Sequence, residues 1–408
     1  MMVPKLRFSE FSKGWQQKKI GDVFTIFSGF AFKSTDATTS GCRWLKIADV
    51  GCQIMTPSTP SFLPNHFSNE YHKFIIRKDD YVIALTRPIL NGKLKIAIAG
   101  KEYDGSLLNQ RVGKIVTKNN PKFVYSLLQM ESTVSKINNC IAGTDPPNLS
   151  TQDIKDMIVF VPIIEEQIKI ADFISSVDEK ITLLNKQYDL LCQYKKGMMQ
   201  EIFSQKMRFK DDSGRAFPEW KSTILDEVVD IITNGLALNQ NDSKNGYPVS
   251  RIETISECCI NMKKVGFVDT DNDISNYKLN YGDMLFSNIN SISHIGKIAY
   301  FDIDDTLYHG MNLLRIVIKN SHCKLFFYYQ LTTDTNKKYF ESRANQAVSQ
   351  ASINQTELRK TPVQVPCKEE QTKIANFLSA LDDKIVVKKA ELDKLKTWKQ
   401  GLLQQMFI

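Results

Sequence analysis

Two long stretches of the chain set apolar residues at alternating steps of four and three. In the first, Ile170, Ile174, Val177, Ile181, Leu184, Tyr188 and Leu191 lead on to Lys195, Met198 and Ile202. In the second, Ile374, Leu378, Leu381, Ile385, Lys388, Leu392 and Leu395 lead on to Lys399, Leu402 and Met406. Such spacing puts one apolar stripe on a helix, and sustained over nearly five heptads it predicts a coiled coil. A helix of about 38 residues is roughly 57 Å long and cannot bury its stripe alone. The helices could pack on neighbouring globular residues. The spacing better supports pairing with each other, antiparallel, because one chain must run out and back. Lys195, Lys388 and Lys399 are costly in a dry seam and are expected to snorkel, to set the register or to meet a partner protein.

Strand-like runs Met157–Val161 and Thr361–Val365 end at Pro162 and Pro366, and paired glutamates follow, which suit a helix N-terminus. The remaining residues alternate on a shorter period. Tyr81–Leu85, Leu94–Ile98 and Gly113–Thr117 predict strands, followed by a helix over Lys122–Asn139. The same order recurs as Met284–Ser287, Lys297–Phe301, Leu313–Ile318 and a helix from Lys324 to about Arg343.

That recurrence is an internal repeat. Residues 162–203 align without a gap on 366–407 at an offset of 204, with 18 of 42 positions identical. The flanks agree more loosely: Lys5-Leu6-Arg7-Phe8 with Lys206-Met207-Arg208-Phe209, and Trp15 with Trp220. The predicted organisation is an α+β module at 1–161, a helix at 162–205, a second module at 206–365 and a second helix at 366–408. Diverged modules on a shared frame suggest two similar tasks performed on different targets.

Composition narrows the class. The 408 residues are 42% hydrophobic and 24% charged, normal for a cored globular protein. The longest apolar run, Met157–Ile164, is far below the ~20 residues of a membrane span. Met1–Arg7 has no apolar stretch of the kind a secretory signal needs. The eight cysteines form no CxxC, so a reducing cytoplasm is expected and a metal site is not. The net charge of +8 is concentrated: residues 1–164 alone carry 21 basic and 13 acidic side chains, whereas 205–368 carry 20 and 19. A basic module admits nucleic acid as a partner.

Arg, Lys, Asn and Gln near glycine turns are the side chains that reach phosphates and base edges. In the first module these are Lys33 and Ser34 after Gly29-Phe30-Ala31-Phe32, Lys46, Arg87, Asn91 and Lys93 around Gly92, and Gln110 with Arg111. In the second they are Asn234, Arg251, Asn288, Asn290, Ser291, His294 and Lys297, in the polar stretch that also holds Ser293, and Gln350. No P-loop, GxSxG or HExxH occurs. Asp226-Glu227 reads as a helix start. Asp145-Pro146-Pro147-Asn148 resembles the loop of nucleic-acid amino-methyltransferases but lacks the aromatic that would stack on a flipped base, so it reads as a turn. A binder is expected rather than an enzyme.

Two diverged modules alternating with two similar helices, each opened by Pro-x-x-Glu-Glu-Gln-x-Lys-Ile-Ala-x-Phe and continuing to Asp-x-Lys-Ile, resemble the specificity subunit of type I restriction–modification enzymes. Leu45-Lys46-Ile47-Ala48-Asp49-Val50 and Asn148-Leu149-Ser150 add to the likeness. The resemblance implies that each module reads one half of a bipartite, asymmetric double-stranded DNA target. It implies that the helices hold the modules and dock two methyltransferase subunits. The chain itself would carry no catalytic residue, metal or cofactor. S-adenosylmethionine, ATP and Mg would belong to those subunits and to two ATP-dependent restriction subunits, all in a prokaryotic cytoplasm. The alternatives are a DNA-binding scaffold or antirestriction factor of the same fold, and an orphan methyltransferase using Asp145–Asn148.

Overall fold

A computed structural model describes residues 2–56, 60–141, 146–292, 294–346 and 350–408. The chain divides into two compact units, Met1–Lys186 with Ala390–Ile408, and Gln187–Lys389. Each unit holds one module and a part of both long helices, which span Ile164–Phe203 and Lys368–Met406.

The first module is built on an antiparallel sheet in the order Thr25–Ser28, Val112–Val116, Tyr81–Ala84, Ile96–Ile98. Both of its faces are covered. Successive side chains point to opposite faces, so Ile83 joins a core with Phe123 and Ile174, while Val82 and Ala84 join another with Leu45 and Tyr103. The second module repeats this order with Val229–Asn234, Leu314–Ile318, Met284–Phe286 and Ile298–Tyr300. Each helix expected after the sheet is two: Pro121–Leu127 and Glu131–Ile141, then Lys324–Leu331 and Asp334–Arg343. A tight turn interrupts each, and Thr333 caps the last by accepting from the Asn336 amide at 3.3 Å. Asp226-Glu227 lies in a single 3-10 turn, Leu225–Glu227.

The repeated glutamates and glutamines fasten each module to its helix. Strand Gln16–Lys19 pairs with Ile158–Val161, just before Pro162. There, buried Glu166 accepts from Arg7 Nε at 2.8 Å and Trp15 Nε1 at 3.1 Å. Strand Lys221–Ile224 pairs with Pro362–Val365, and Glu370 accepts from Arg208 Nε at 2.8 Å and Trp220 Nε1 at 2.9 Å. Gln167 accepts from the Asn120 amide at 3.1 Å and donates to the Pro162 carbonyl at 3.0 Å. Gln371 does the same with Cys323 at 2.8 Å and Pro366 at 2.9 Å. Charge-assisted bonds to a buried carboxylate are strong, which accounts for Glu166 and Glu370 in both copies, as the paired backbone bonds do for Gln167 and Gln371; Glu165 and Glu369 are exposed.

The seam serves both uses between which the sequence left a choice. In the first unit Ile170, Ile174 and Val177 share one core with Trp15 of the module and with Leu402, Leu403 and Met406 of the other helix, Ile181 and Leu395 packing at its edge. Leu184 and Leu392 are buried as well. In the second unit Ile374, Leu378 and Leu381 share a core with Ile202 and Trp220, while Tyr188, Leu191 and Ile385 are half-buried. Lys399 Nζ lies 2.6 Å from Asp178 Oδ1, and Lys195 Nζ lies 2.5 Å from Asp382 Oδ1. Lys388 is half-buried. Burial, with Asp382 accepting from its hydroxyl at 2.7 Å, pushes the Tyr329 phenol up from its ordinary pKa.

Candidate nucleic-acid interface

In the first module Arg87, Gln110 and Arg111 converge on one open cleft of about 790 Å³, together with Lys95, Thr86 and Asn148. Two backbone loops hold them there. Arg87 has φ 46°, in the left-handed region, and its amide donates to the Pro147 carbonyl at 2.8 Å. Thr86 Oγ1 donates to Asn148 Oδ1 at 2.7 Å, and Asn148 Nδ2 donates to the Pro146 carbonyl at 3.0 Å. The Pro-Pro-Asn segment bends at Pro146 and pairs Asn148 with Thr86 as a single antiparallel bridge, which buttresses Arg87; the turn expected from Asp145 onward includes a residue outside the described ones. On the other loop, the Gln110 amide donates to the Phe30 carbonyl at 2.9 Å and Arg111's to Asn109 Oδ1 at 3.0 Å. Gly29 is required at this crossing, because a Cβ there would sit 2.2 Å from the Leu108 carbonyl oxygen. Gly235 makes the same approach to Gly310 at 2.0 Å.

The cleft is cationic without internal anions among its lining residues. Burial lowers the Lys95 ammonium pKa from its ordinary value; a Cys52 thiolate would oppose this and the Arg87 guanidinium adds to it. An anion entering the cleft would relieve that cost. Lys95 is absent from the sequence expectation. It sits within a strand-like run that signals burial, and only its place on the cleft wall marks it.

The other first-module candidates are spread out. Lys33 and Ser34 are exposed at the start of the 3-10 turn Ser34–Asp36. Lys46 Nζ sits 4.1 Å from the Trp44 ring centroid. Asn91 and Lys93 are on the hairpin Ile89–Leu94. Phe30 and Phe32 belong to an aromatic cluster with Tyr71, at ring-centroid distances of 4.7 and 5.0 Å.

In the second module, strand Ile289–Asn290 pairs with Ala351–Ser352, placing the polar residues after Phe286 beside that strand. Asn288 is buried and Asn290 donates to Ser287 Oγ at 3.2 Å. Ser291 Oγ lies 3.2 Å from His294 Nδ1, Ser293 falls outside the described residues, and Gln350 is exposed. Asn234 is exposed at a strand end. Two basic candidates have internal partners: Lys297 Nζ donates to the Ser256 carbonyl at 2.6 Å, and Arg251 binds Gln240 Oε1 at 2.8 Å and Asp242 Oδ1 at 2.6 Å. These bonds brace loops. The second module therefore presents mainly amides and hydroxyls where the first presents guanidinium groups.

Among the described residues no group of three or more His, Cys, Asp or Glu is placed to hold a metal, and no helix is long and apolar enough to cross a membrane.

A family model described as "Type I restriction modification DNA specificity domain" matches the chain twice, over residues 12–192 and 218–397. The putative type I restriction enzyme MjaX specificity subunit of Methanocaldococcus jannaschii is 39% identical over 202 residues, 48% of this chain and 48% of that protein. The type I restriction enzyme MjaVIII specificity subunit of the same organism is 31% identical over 210 residues, 51% of this chain and 49% of that protein. Each alignment thus spans about half the length of these curated relatives. Among solved structures, the crystal structure of a type I restriction–modification S subunit from M. genitalium superposes with a TM-score of 0.62, covering 100% of this chain and 99% of that one at 17% identity, which is a likeness of fold.

Proposed function

The chain belongs to the family of type I restriction modification DNA specificity domains, and from that premise we propose that it is the DNA-reading subunit of a type I restriction–modification assembly. Residues 1–161 and 206–365 act as recognition modules, each for one half of a bipartite target. Residues 162–205 and 366–408 form the helical frame. The observation that carries this reading is the cleft where Arg87, Lys95 and Arg111 converge beside Gln110. Three cations grip phosphates, while arginine and glutamine also reach base edges with bidentate geometry.

In this reading the chain contributes position and specificity, and chemistry is left to partners: methyltransferase subunits using S-adenosylmethionine, and restriction subunits using ATP and Mg. Paired docking of one partner has a physical basis on the helices. Tyr194 and Val387 are 52% and 64% exposed, and their equivalents at the 204-residue offset, Trp398 and Leu183, are 49% and 55% exposed. Exposed apolar side chains repeated in this way suit two copies of one subunit.

Genome-wide mapping of methylated adenines, with and without the chain, tests the proposal. A bipartite motif should vanish when the chain is removed. Exchanging residues 1–161 for another recognition module should change one half of that motif only. A methylation pattern indifferent to the chain, or a change in both halves, would overturn it.

A further inference from the structure

The hairpin Ile89–Leu94 has an inner and an outer pair of residues. Ile89 stands opposite Leu94, and Leu90 opposite Lys93. Since neighbouring side chains alternate between faces, one pair is anchored and the other projects. Leu94 is 3% exposed and packs with Ile89 on the module's main core, whereas Leu90 is 54% exposed and Lys93 is also exposed. Asn91 and Gly92, at φ 50° and 73°, make the two-residue turn whose twist matches the strands. A Cβ on Gly92 would meet nothing within 4 Å, so the tip stands in open space. The stem is fixed by the Lys95 amide donating to the Pro88 carbonyl at 2.7 Å.

The hairpin's position matters as much as its rigidity. Arg87 and Lys95, which bracket it in the chain, both line the cationic cleft, so the ribbon rises from that cleft's rim. Ile289 pairs with Ser352 as Thr86 bridges Asn148 in the first module, and between Asn290 and Ile298, where the hairpin's equivalent would lie, the described residues of the second module form no paired strands. A rigid two-stranded ribbon fits the major groove of B-DNA, and an apolar side chain there reads the 5-methyl group of thymine. Lysine beside it meets the phosphate backbone.

We propose that this hairpin enters the major groove of the half-site read by the first module, with Leu90 contacting a thymine methyl and Lys93 a phosphate. The inference rests on the DNA-reading function proposed above. Full-length chain co-expressed with its methyltransferase subunits provides the test, in three measurements. The methylation motif of the wild type is mapped first; with no motif, the DNA reading itself fails and this inference with it. Given a motif, Leu90→Ala should relax one A·T position in one half and leave the other half unchanged. In binding to duplex probes, uracil in place of thymine at that position should weaken the wild type about tenfold and the L90A assembly hardly at all. Lys93→Ala should instead weaken binding to all sequences and reduce the salt slope by about one. An unchanged motif in L90A, a half-site without thymine on either strand, or equal losses from uracil in both proteins would overturn the hairpin proposal while leaving the DNA reading intact. Because Leu90 is exposed, its truncation removes no core contact, and an unchanged melting temperature confirms that folding is not what is being measured.

Discussion

Lys399 and Asp178 meet across the helix seam at 2.6 Å, and the equivalent residues at the 204-residue offset, Lys195 and Asp382, meet at 2.5 Å. The same two side-chain types thus pair in each unit with their order exchanged between the helices. Each pair also draws on its module: Gln129 accepts from Lys399 at 2.8 Å, and Tyr329 donates to Asp382 at 2.7 Å. A charge in an otherwise apolar seam is tolerated in one register only, which makes these pairs register keys.

Their burial differs, and so should their cost. The Lys399 side chain is 7% exposed and that of Lys195 is 22% exposed. Removing the partner of a buried charge is expensive, while a solvated pair contributes little. Asp178→Asn should therefore destabilise the chain by about 2–3 kcal/mol and Asp382→Asn by about 1 kcal/mol. Urea unfolding of the two variants checks the ranking; equal losses would show that the seam does not distinguish them.

The glutamate clamps offer a second prediction. Glu166 and Glu370 are almost fully buried, each against an arginine and a tryptophan. Glutamine keeps the shape but weakens charge-assisted bonds, so E166Q and E370Q should each cost about 2 kcal/mol. Chemical denaturation followed by tryptophan fluorescence reads this directly, since Trp15 and Trp220 are the reporters at the two sites.

Acid should act on the second module through His309. Burial pushes its imidazole down to about 4, against an upward pull from the Leu313 carbonyl it faces at 3.0 Å and with the Arg315 guanidinium adding to the lowering. Between pH ~6.5 and ~4 the unfolded chain takes up a proton that the folded one refuses, so stability falls as pH falls through this window, by up to about 3 kcal/mol. His309→Asn should flatten that part of the stability profile. Melting temperatures of both proteins between pH 7 and 4 decide the matter.

DNA affinity should separate cleft residues from bracing ones. Arg111→Ala and Lys95→Ala should weaken binding and lower the salt slope by about one each. Lys297→Ala and Arg251→Ala should leave the slope unchanged and lower thermal stability, because their donors are committed to Ser256 and to Gln240 with Asp242. Titrations at several salt concentrations distinguish the two classes.

The heptad rhythm, the 204-residue repeat and the order of short strands were legible in the chain because they depend on local periodicity, which neither partner nor packing alters. Leu45, Val82 and Ile83 announce burial in the same way. Residue type and turn context also pointed to Arg87, Gln110 and Arg111. What tertiary structure decided was which side chains remain available. Lys297 and Arg251 have the same charge as Lys95 and Arg111, yet the Ser256 carbonyl, 41 residues away, occupies the Lys297 donor, and the folded loop before it turns Gln240 and Asp242 onto Arg251. Lys95 instead became part of the cleft because Pro146 and Asn148, about 50 residues on, fold in to line the same cavity. The tertiary structure also gave the seam lysines their partners and divided each long helix between two cores. Periodicity is a property of neighbours along the chain. Whether a charge is spent internally or left for a ligand depends on groups brought near only by folding.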